Sequence, residues 1–394
     1  MDPGDSGGLS SSESGWPHCN VARNYPTQIA TEVMPSIDVC RLRLANQHLV
    51  GQTLDKAADV VQLLGAVQAQ DYSSAKWALA QRTRGASDSQ IEKEIDDGEI
   101  LRTHVLRPTW HFVGPTDIRW MLALTGPRVK ALLGHYDRKL ELDAAVIRRT
   151  QSVFTKALRG GKHLTRAELA RALTKAKIRA DGTQRLAHIV MHAELDGVIC
   201  SAPRRGKQFT YALLDERVPP AKKMERDAAL GALATRYFVT RGPATEDDFA
   251  WWSGLTKADA KSAVYATDST LDNRIIDGRR YWFQPPAITA KLKSPLVRLL
   301  PNYDEFFIGL KDRSALHAKL GKLGIAKNYN ALSGHIMTID GQIVGGWTRT
   351  LSGKSVAVTL RPLTRLTDAE DRAVEAEANR YATFLGSPLR LEHA

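Results

Sequence analysis

Gln68-Ala69-Gln70 sets two carboxamides one residue apart, at the end of what reads as an apolar helix over residues 55–67. Helices more often end in Gly, Asn or Lys, where orphan carbonyls find partners. Two glutamines instead offer donors and acceptors at one spot, with no proton that titrates near neutrality. Such a pair suits holding a polar atom in place and does not suit moving a proton. No conventional signature competes with it. The chain has no glycine-rich phosphate loop ending in Lys-Ser/Thr, no dinucleotide fingerprint and no Gly-x-Ser-x-Gly elbow. Its helical histidine pair, His188 and His192, lacks the glutamate of a zinc-protease helix and reads as two rings flanking a buried stripe. The chemistry expected here needs no cofactor and no metal.

The scaffold that must position the glutamines is large and basic. With 394 residues, the chain is long enough for two to four domains of about 100 residues each. Hydrophobic residues make up 43% and charged residues 25%, the composition of a globular protein. The formal net charge is +12. The first 36 residues carry Asp2, Asp5, Glu13 and Glu32 against Arg23, so the positive excess lies wholly on the remainder. A polyanion is the partner such a body favours, nucleic acid ahead of membrane. Cys19, Cys40 and Cys200 have neither metal nor disulfide spacing, which fits a reducing cytoplasm. No run approaches the roughly 18 apolar residues of a membrane span. Residues 1–36, rich in Gly, Ser and Pro, read as a disordered tail, with Met34 available as an alternative start.

A unit recurs along the body. From Thr165, a capping box opens a helix with Leu169 and Leu173 on one stripe, and a second helix carries Leu186, Ile189, Val190 and Ala193. Two alternating strands follow, around the tip Arg204-Arg205-Gly206-Lys207. From Thr245 the order repeats: two capped helices, then a hairpin turning at Asp277-Gly278. Each copy follows a longer amphipathic helix. A fainter first copy has a helix burying Val60, Val61, Leu64 and Val67, helices near Ser73 and Ser87, and a hairpin around Arg107-Pro108. Three helices and a two-stranded wing describe a winged helix. The expected α+β organisation is therefore tandem winged helix-turn-helix units at 38–114, 143–214 and 222–285, with a helical spacer at 115–142 whose second helix starts at Pro127. A β-rich C-terminal domain at 291–394 closes the chain, with strands at 297–300, 335–339, 342–347 and 356–360 and a helix over 368–385. On this fold, the wing-tip cations Arg204, Arg205, Lys207, Arg279 and Arg280 suit phosphate contacts. Of Trp251-Trp252, one ring is expected in the core and one partly exposed. Asn302-Tyr303-Asp304-Glu305 reads as a turn with capping duties.

At Gln68-Ala69-Gln70 the chain resembles the AlkZ-type DNA glycosylases, a winged-helix family that includes the YcaQ-type enzymes. Arg41-Leu42-Arg43-Leu44 before the first helix, Trp77, Arg107-Pro108-Thr109-Trp110-His111, Leu299 through Glu305, and Asp340-Gly341 through Trp347 carry the likeness over roughly residues 38–390. The 36-residue head departs from the pattern. The resemblance implies a C-shaped basic channel that binds double-stranded DNA bearing alkylated bases, and excision of N-alkylated purines, interstrand crosslinks included. The family's catalytic Gln-x-Gln falls on Gln68 and Gln70; Asp71 lies one residue too late for the sister branch's Gln-x-Asp. Arg107 and His111 become DNA-contact candidates, His111 either facing the channel or buried in its hairpin. A monomer at the nucleoid, serving general alkylation repair or self-resistance, fits this reading. The rival is a non-catalytic winged-helix DNA-binding protein or regulator, which would need a dimer and a palindromic site. Because phosphate neutralisation releases counterions, duplex affinity should fall steeply as salt is raised. Titration at 50 and 200 mM salt checks this, and an unchanged affinity would exclude a phosphate-binding channel.

Overall fold

The computed structural model describes residues 36–267, 271–276, 278–284, 293–324, 334–353 and 355–394. The tail expected at 1–36 thus lies outside the described residues except for Ser36, as does Asp277 of the expected hairpin turn. The first stretch comprises α1 (Ser36–Asn46), α2 (Ala57–Leu64), β1 (Ala66–Gln68), α3 (Tyr72–Ala80), α4 (Asp88–Asp97), β2 (Leu101–His104) and β3 (Trp110–Val113). Arg41 to Leu44 lie within α1 rather than ahead of the first helix. The three strands pair antiparallel in the order β1-β3-β2. A single helix, α5 (Ile118–Lys139), follows with Pro127 inside it. The expected break at Pro127 does not occur. One missing N–H is a local loss, and buried Met121, Leu122, Leu124, Val129 and Leu133 on both sides of it keep the helix continuous.

The next stretch repeats the order: α6 (Ala144–Leu158), β4 (Leu164–Thr165), α7 (Arg166–Lys175), α8 (Thr183–Leu195), β5 (Ile199–Arg205) and β6 (Gln208–Leu213), in sheet order β4-β6-β5. A short α9 (Leu214–Arg217) leads to α10 (Arg226–Arg241), α11 (Glu246–Ser253), α12 (Lys257–Ala266), β7 (Asp272–Ile276) and β8 (Arg279–Phe283). Here the first strand shrinks to one bridge, Ala244 with Trp282. Helix, strand, two helices and a hairpin therefore occur three times. Capping boxes at Ser87, Thr165, Thr245 and Thr256 start α4, α7, α11 and α12, satisfying N–H groups that the helix cannot.

The last stretch holds β9 (Val297–Leu300), α13 (Glu305–Ile308), α14 (Ala318–Lys322), β10 (His335–Ile339), β11 (Gln342–Ser352), β12 (Ser355–Pro362), α15 (Asp368–Leu385) and β13 (Leu389–His393). They form a five-stranded sheet in the order β13-β12-β11-β10-β9, antiparallel except for the β12–β13 pair. The parallel edge strand β13 was not foreseen. Its half-exposed Leu-Arg-Leu-Glu-His carries too little apolar content to announce itself. Asp340 and Gly341 both have positive φ, 51° and 78°, as a two-residue hairpin turn requires.

The cores are shared between stretches. One packs Leu44, Ala66, Leu101 and Val113 with Tyr237, Phe249, Trp252 and Phe306. A second packs Val60, Val61, Leu64 and Trp77 with the C-terminal sheet and α15, where Trp77 meets Tyr381 edge-on at 5.0 Å. The α6–β6 stretch has a core of its own around Phe154, Leu173 and Ile189. The glutamine-bearing segment is thus gripped on two sides by distant parts of the chain. Arg82 marks one grip. Its guanidinium spends all five donors on Gln47, Ala78 and the carboxylate of Asp304, all buried. Arg82→Met should strand that carboxylate and cost about 3–5 kcal/mol. Urea unfolding reads the loss, and a change under about 1 kcal/mol would mean the pair carries nothing beyond a surface ion pair.

Candidate functional site

The apolar spacing Val60, Val61, Leu64, Val67 fits a helix, but α2 stops at Leu64 because Gly65 turns the chain at φ 77°. Residues 66–68 then form β1, pairing Ala66, Val67 and Gln68 with Val113, Phe112 and His111. The glutamines therefore sit on a strand and its extension, not at a helix end. The amide of Ala69 still donates to Trp110 O at 2.7 Å, continuing the extended run. Val67 packs into the core, Gln68 ends β1, and Gln70 lies in the bend that follows. Gln68 is 6% exposed, and Gln70 lies open to solvent.

Each carboxamide has a partner on the β2–β3 hairpin. Arg107 Nη2 donates to Gln68 Oε1 at 3.0 Å. A guanidinium has no acceptor, so this contact turns the Gln68 oxygen toward Arg107 and leaves its NH2 facing elsewhere as a donor. Gln70 Oε1 takes a long bond, 3.4 Å, from Trp110 N. Arg107 itself is set by close backbone packing. Leu106 has φ 63°, and its carbonyl lies where a Cβ on Gly254 would come within 2.2 Å.

The backbone of the motif is held from behind. Gln68 N donates to Glu305 Oε1 at 2.9 Å, while Arg241 donates to the carbonyls of Leu64 and Ala66. Arg102 Nε donates to Ala69 O at 3.1 Å, with its guanidinium 4.4 Å from the Trp110 ring centroid and 4.6 Å from that of Phe209 on β6. Arg241 and Arg102 have no place in the sequence reading, and Glu305 reads there only as part of a capping turn, with no link to the glutamines. The turn reading held for Asp304, which caps α13 through Phe306 N. The available signal for Glu305 was a carboxylate embedded between Leu299-Leu300 and Phe306-Phe307-Ile308.

Among the other candidates, His111 is fully buried. Its Nδ1 donates to Thr109 O at 2.9 Å, which leaves Nε2 unprotonated. Burial, then the neighbouring Arg107 charge, hold it well below the usual histidine range, so it stays neutral. Of the two placements open to His111, facing a channel or buried in its hairpin, the structure takes the buried one. Arg107 is partly buried and faces Gln68. At the β5–β6 tip, Arg204 pairs with Glu92 at 2.6 Å over the Tyr72 ring, Arg205 pairs with Glu168 at 2.9 Å, and Lys207 is exposed. On the β7–β8 hairpin, Arg279 pairs with Asp312 at 2.9 Å and Arg280 donates to Asn273. A cavity of about 650 Å³ beside that hairpin is lined by Asp247, Asp248, Arg279, Arg280, Lys311 and Asp312, and by no residue of the glutamine motif. His188 and His192 both bind the Asp137 carboxylate at 3.0 Å, a structural clamp. No group of three metal-ligand side chains occurs among the described residues. Asp71 caps α3 and is occupied by Ser73 and Ser74. Trp252 is buried and Trp251 is 39% exposed.

One histidine ties the site's surroundings to pH. His335 accepts from Asn302 N at 2.7 Å and stacks on Trp347, and burial, then Arg349, push it down to about 4. The unfolded chain takes up this proton first as pH falls through about 6.5. Stability is therefore full above that value and declines toward pH 4. Between pH 7 and pH 5 His335 should account for a loss of roughly 2 kcal/mol. Urea midpoints of the parent and His335→Gln check it, and equal pH slopes in the two would refute it.

With this geometry in place, comparison with known proteins is informative. The family model for AlkZ-like DNA glycosylases matches residues 61–384. An interstrand DNA cross-link repair glycosylase of Streptomyces sahachiroi is 26% identical over 361 residues, covering 87% of this chain and 95% of its own. The solved structure of Streptomyces sahachiroi DNA glycosylase AlkZ matches with a TM-score of 0.75 at 23% identity, over 91% of this chain and 100% of that one. No described helix is long and apolar enough to cross a membrane. An α+β body matched over nearly its whole length, with the Gln-x-Gln segment inside the matched span, places this chain in the AlkZ-like DNA glycosylase family, enzymes that cleave N-glycosyl bonds.

Proposed function

We propose that the chain is a monofunctional glycosylase that excises N-alkylated purines, N7-alkylguanine above all, with Gln68 and Gln70 placing the attacking water. The observation that carries this reading is the pair of carboxamides flanking Ala69, both bonded to the β2–β3 hairpin, with Gln68 oriented by Arg107 and Gln70 open to solvent. A guanine alkylated at N7 is already cationic, so it departs as a neutral base and needs no acid to protonate it. The transition state then has oxocarbenium character at C1′, and water must approach from the face opposite the departing base. With its oxygen turned to Arg107, Gln68 presents N–H groups that can hold the water oxygen while a second lone pair faces C1′. Fixing that approach lowers the entropic part of the barrier. An unalkylated base is a far poorer leaving group and survives the same arrangement.

The three recurring helix–strand–helix–helix–hairpin stretches are read as winged helices lining one C-shaped basic groove, so that a monomer engages one duplex. Arg205 and Arg279 are more than half exposed, and their carboxylate partners hold them weakly. Exposed ion pairs are worth about 0–1 kcal/mol, so exchanging a carboxylate for a DNA phosphate costs little. Lys207 and Arg280 join them. Arg204, bound to Glu92 and stacked on Tyr72, is held back. The relative named for interstrand cross-link repair supports crosslinked bases as substrates, since attack at the sugar does not require the base to enter a closed pocket. A place at the nucleoid in the cytoplasm follows from such a substrate.

Gln68→Ala and Gln70→Ala should keep duplex affinity within about twofold while excision of 7-methylguanine falls about 100-fold, the scale of one well-placed donor. Gln68→Glu retains the contact with Arg107 but loses the N–H groups, and should be as impaired as Gln68→Ala. Free-base release is measured with EDTA present throughout. Parallel loss of binding and excision would make the pair structural, and an active Gln68→Glu would point to proton abstraction.

A further inference from the structure

The Glu305–Arg241 pair does more than bury two charges. The Arg241 guanidinium has all five donors occupied: Nε and one Nη2 proton on Glu305 Oε2, the other Nη2 proton on Ala66 O, and Nη1 on Leu64 O and Thr240 Oγ1. Glu305 is equally committed, with Oε2 taking Trp252 Nε1 at 2.9 Å as well, and Oε1 reserved for Gln68 N. Neither side chain has measurable exposure beyond 1%. The Trp252 ring lies 4.4 Å from the guanidinium carbon. On the other flank Gly309 leaves room for it, since a Cβ there would come within 3.0 Å of Arg241 Nε and 2.5 Å of Glu305 O.

Stability alone does not require this network, because well-packed apolar side chains of similar volume often stabilise as much as a buried ion pair. What an apolar pair does not supply is direction. Arg241 takes the carbonyls that precede Gln68, and Glu305 takes the amide of Gln68 itself, so three backbone groups of a five-residue segment are fixed by rigid, saturated partners. These contacts ignore side-chain identity and act on where the Cα–Cβ bond of Gln68 points. A rigid frame of this kind suits a motif whose work is placement, in which misplacement by about 1 Å is enough to cost on the order of 100-fold in rate.

We propose that Glu305 and Arg241 are positioning residues for base excision: acting through the backbone of β1, they hold the Gln68 carboxamide at the geometry the attacking water needs. This rests on the water-placing role of Gln68 given above. Glu305→Asp is the cleanest probe, since it keeps the charge for Arg241 and withdraws the carboxylate from Gln68 N by one methylene. In single-turnover excision of 7-methylguanine from duplex DNA, the rate constant should fall at least tenfold, with duplex Kd and melting temperature close to the parent. Amide exchange at Gln68 should speed up in the same variant. If Glu305→Asp does not fold, the paired replacement Arg241→Met with Glu305→Leu removes the clamp without stranding a charge, and the same rate loss is expected. A folded variant with parental excision and parental Gln68 exchange overturns the proposal. If Gln68→Ala itself excises normally, the water-placing reading fails first. Gln68 exchange then still decides the clamp: faster in Glu305→Asp, the clamp exists without a catalytic task; unchanged, it does not exist.

Discussion

A guanidinium and a carboxylate with no access to solvent, Arg241 and Glu305, hold the segment on which everything else converges. Removing both ions from water is costly, and their mutual attraction offsets the cost only when the remaining donors and acceptors are also met. Here they are met by the backbone of residues 64–68, by Trp252 and by Thr240. The saturation that makes the pair tolerable is the same thing that anchors β1. Three stretches far apart in sequence, the first unit, α10–α11 and α13, are joined at this point, which is why their apolar side chains merge into one core.

The hairpin above the strand adds orientation to anchoring. Arg107 faces the Gln68 carboxamide and decides which end of it is free. The same charge, with burial, keeps His111 neutral beneath it. Arg102 reaches Ala69 from a stack between Trp110 and Phe209, so the β5–β6 hairpin also bears on the motif. A pair of uncharged amides therefore sits among cations that have all been given structural work. On the function proposed above, a substrate that arrives with its own positive charge and loses it on the departing base would need no titrating proton donor from the site.

Much of the architecture was legible in local chemistry. Capping boxes at Thr165, Thr245 and Thr256 mark helix starts because the side chains that satisfy orphan amides lie within three residues of them. Asp340-Gly341 marks a hairpin because that turn needs two positive φ angles. The bounds of β9, β10 and α15 follow from the same local rules. Local chemistry misled where one feature fits two structures. Val60, Val61, Leu64 and Val67 match a helical stripe, yet Gly65 ends the helix and Val67 points into the same core from a strand. Pro127 reads as a helix start, and burial on both sides carries the helix through it.

By itself, the sequence determined the presence of an unusual carboxamide pair, a basic body and a thrice-repeated order of helices and hairpin, since each is written in neighbouring residues. Only the tertiary structure decided that Arg107 serves Gln68, that His111 is buried, and that Glu305 lies against the motif from 237 positions away. A buried charge has to find its partners wherever the folded backbone brings them, and no spacing along the chain records where that will be.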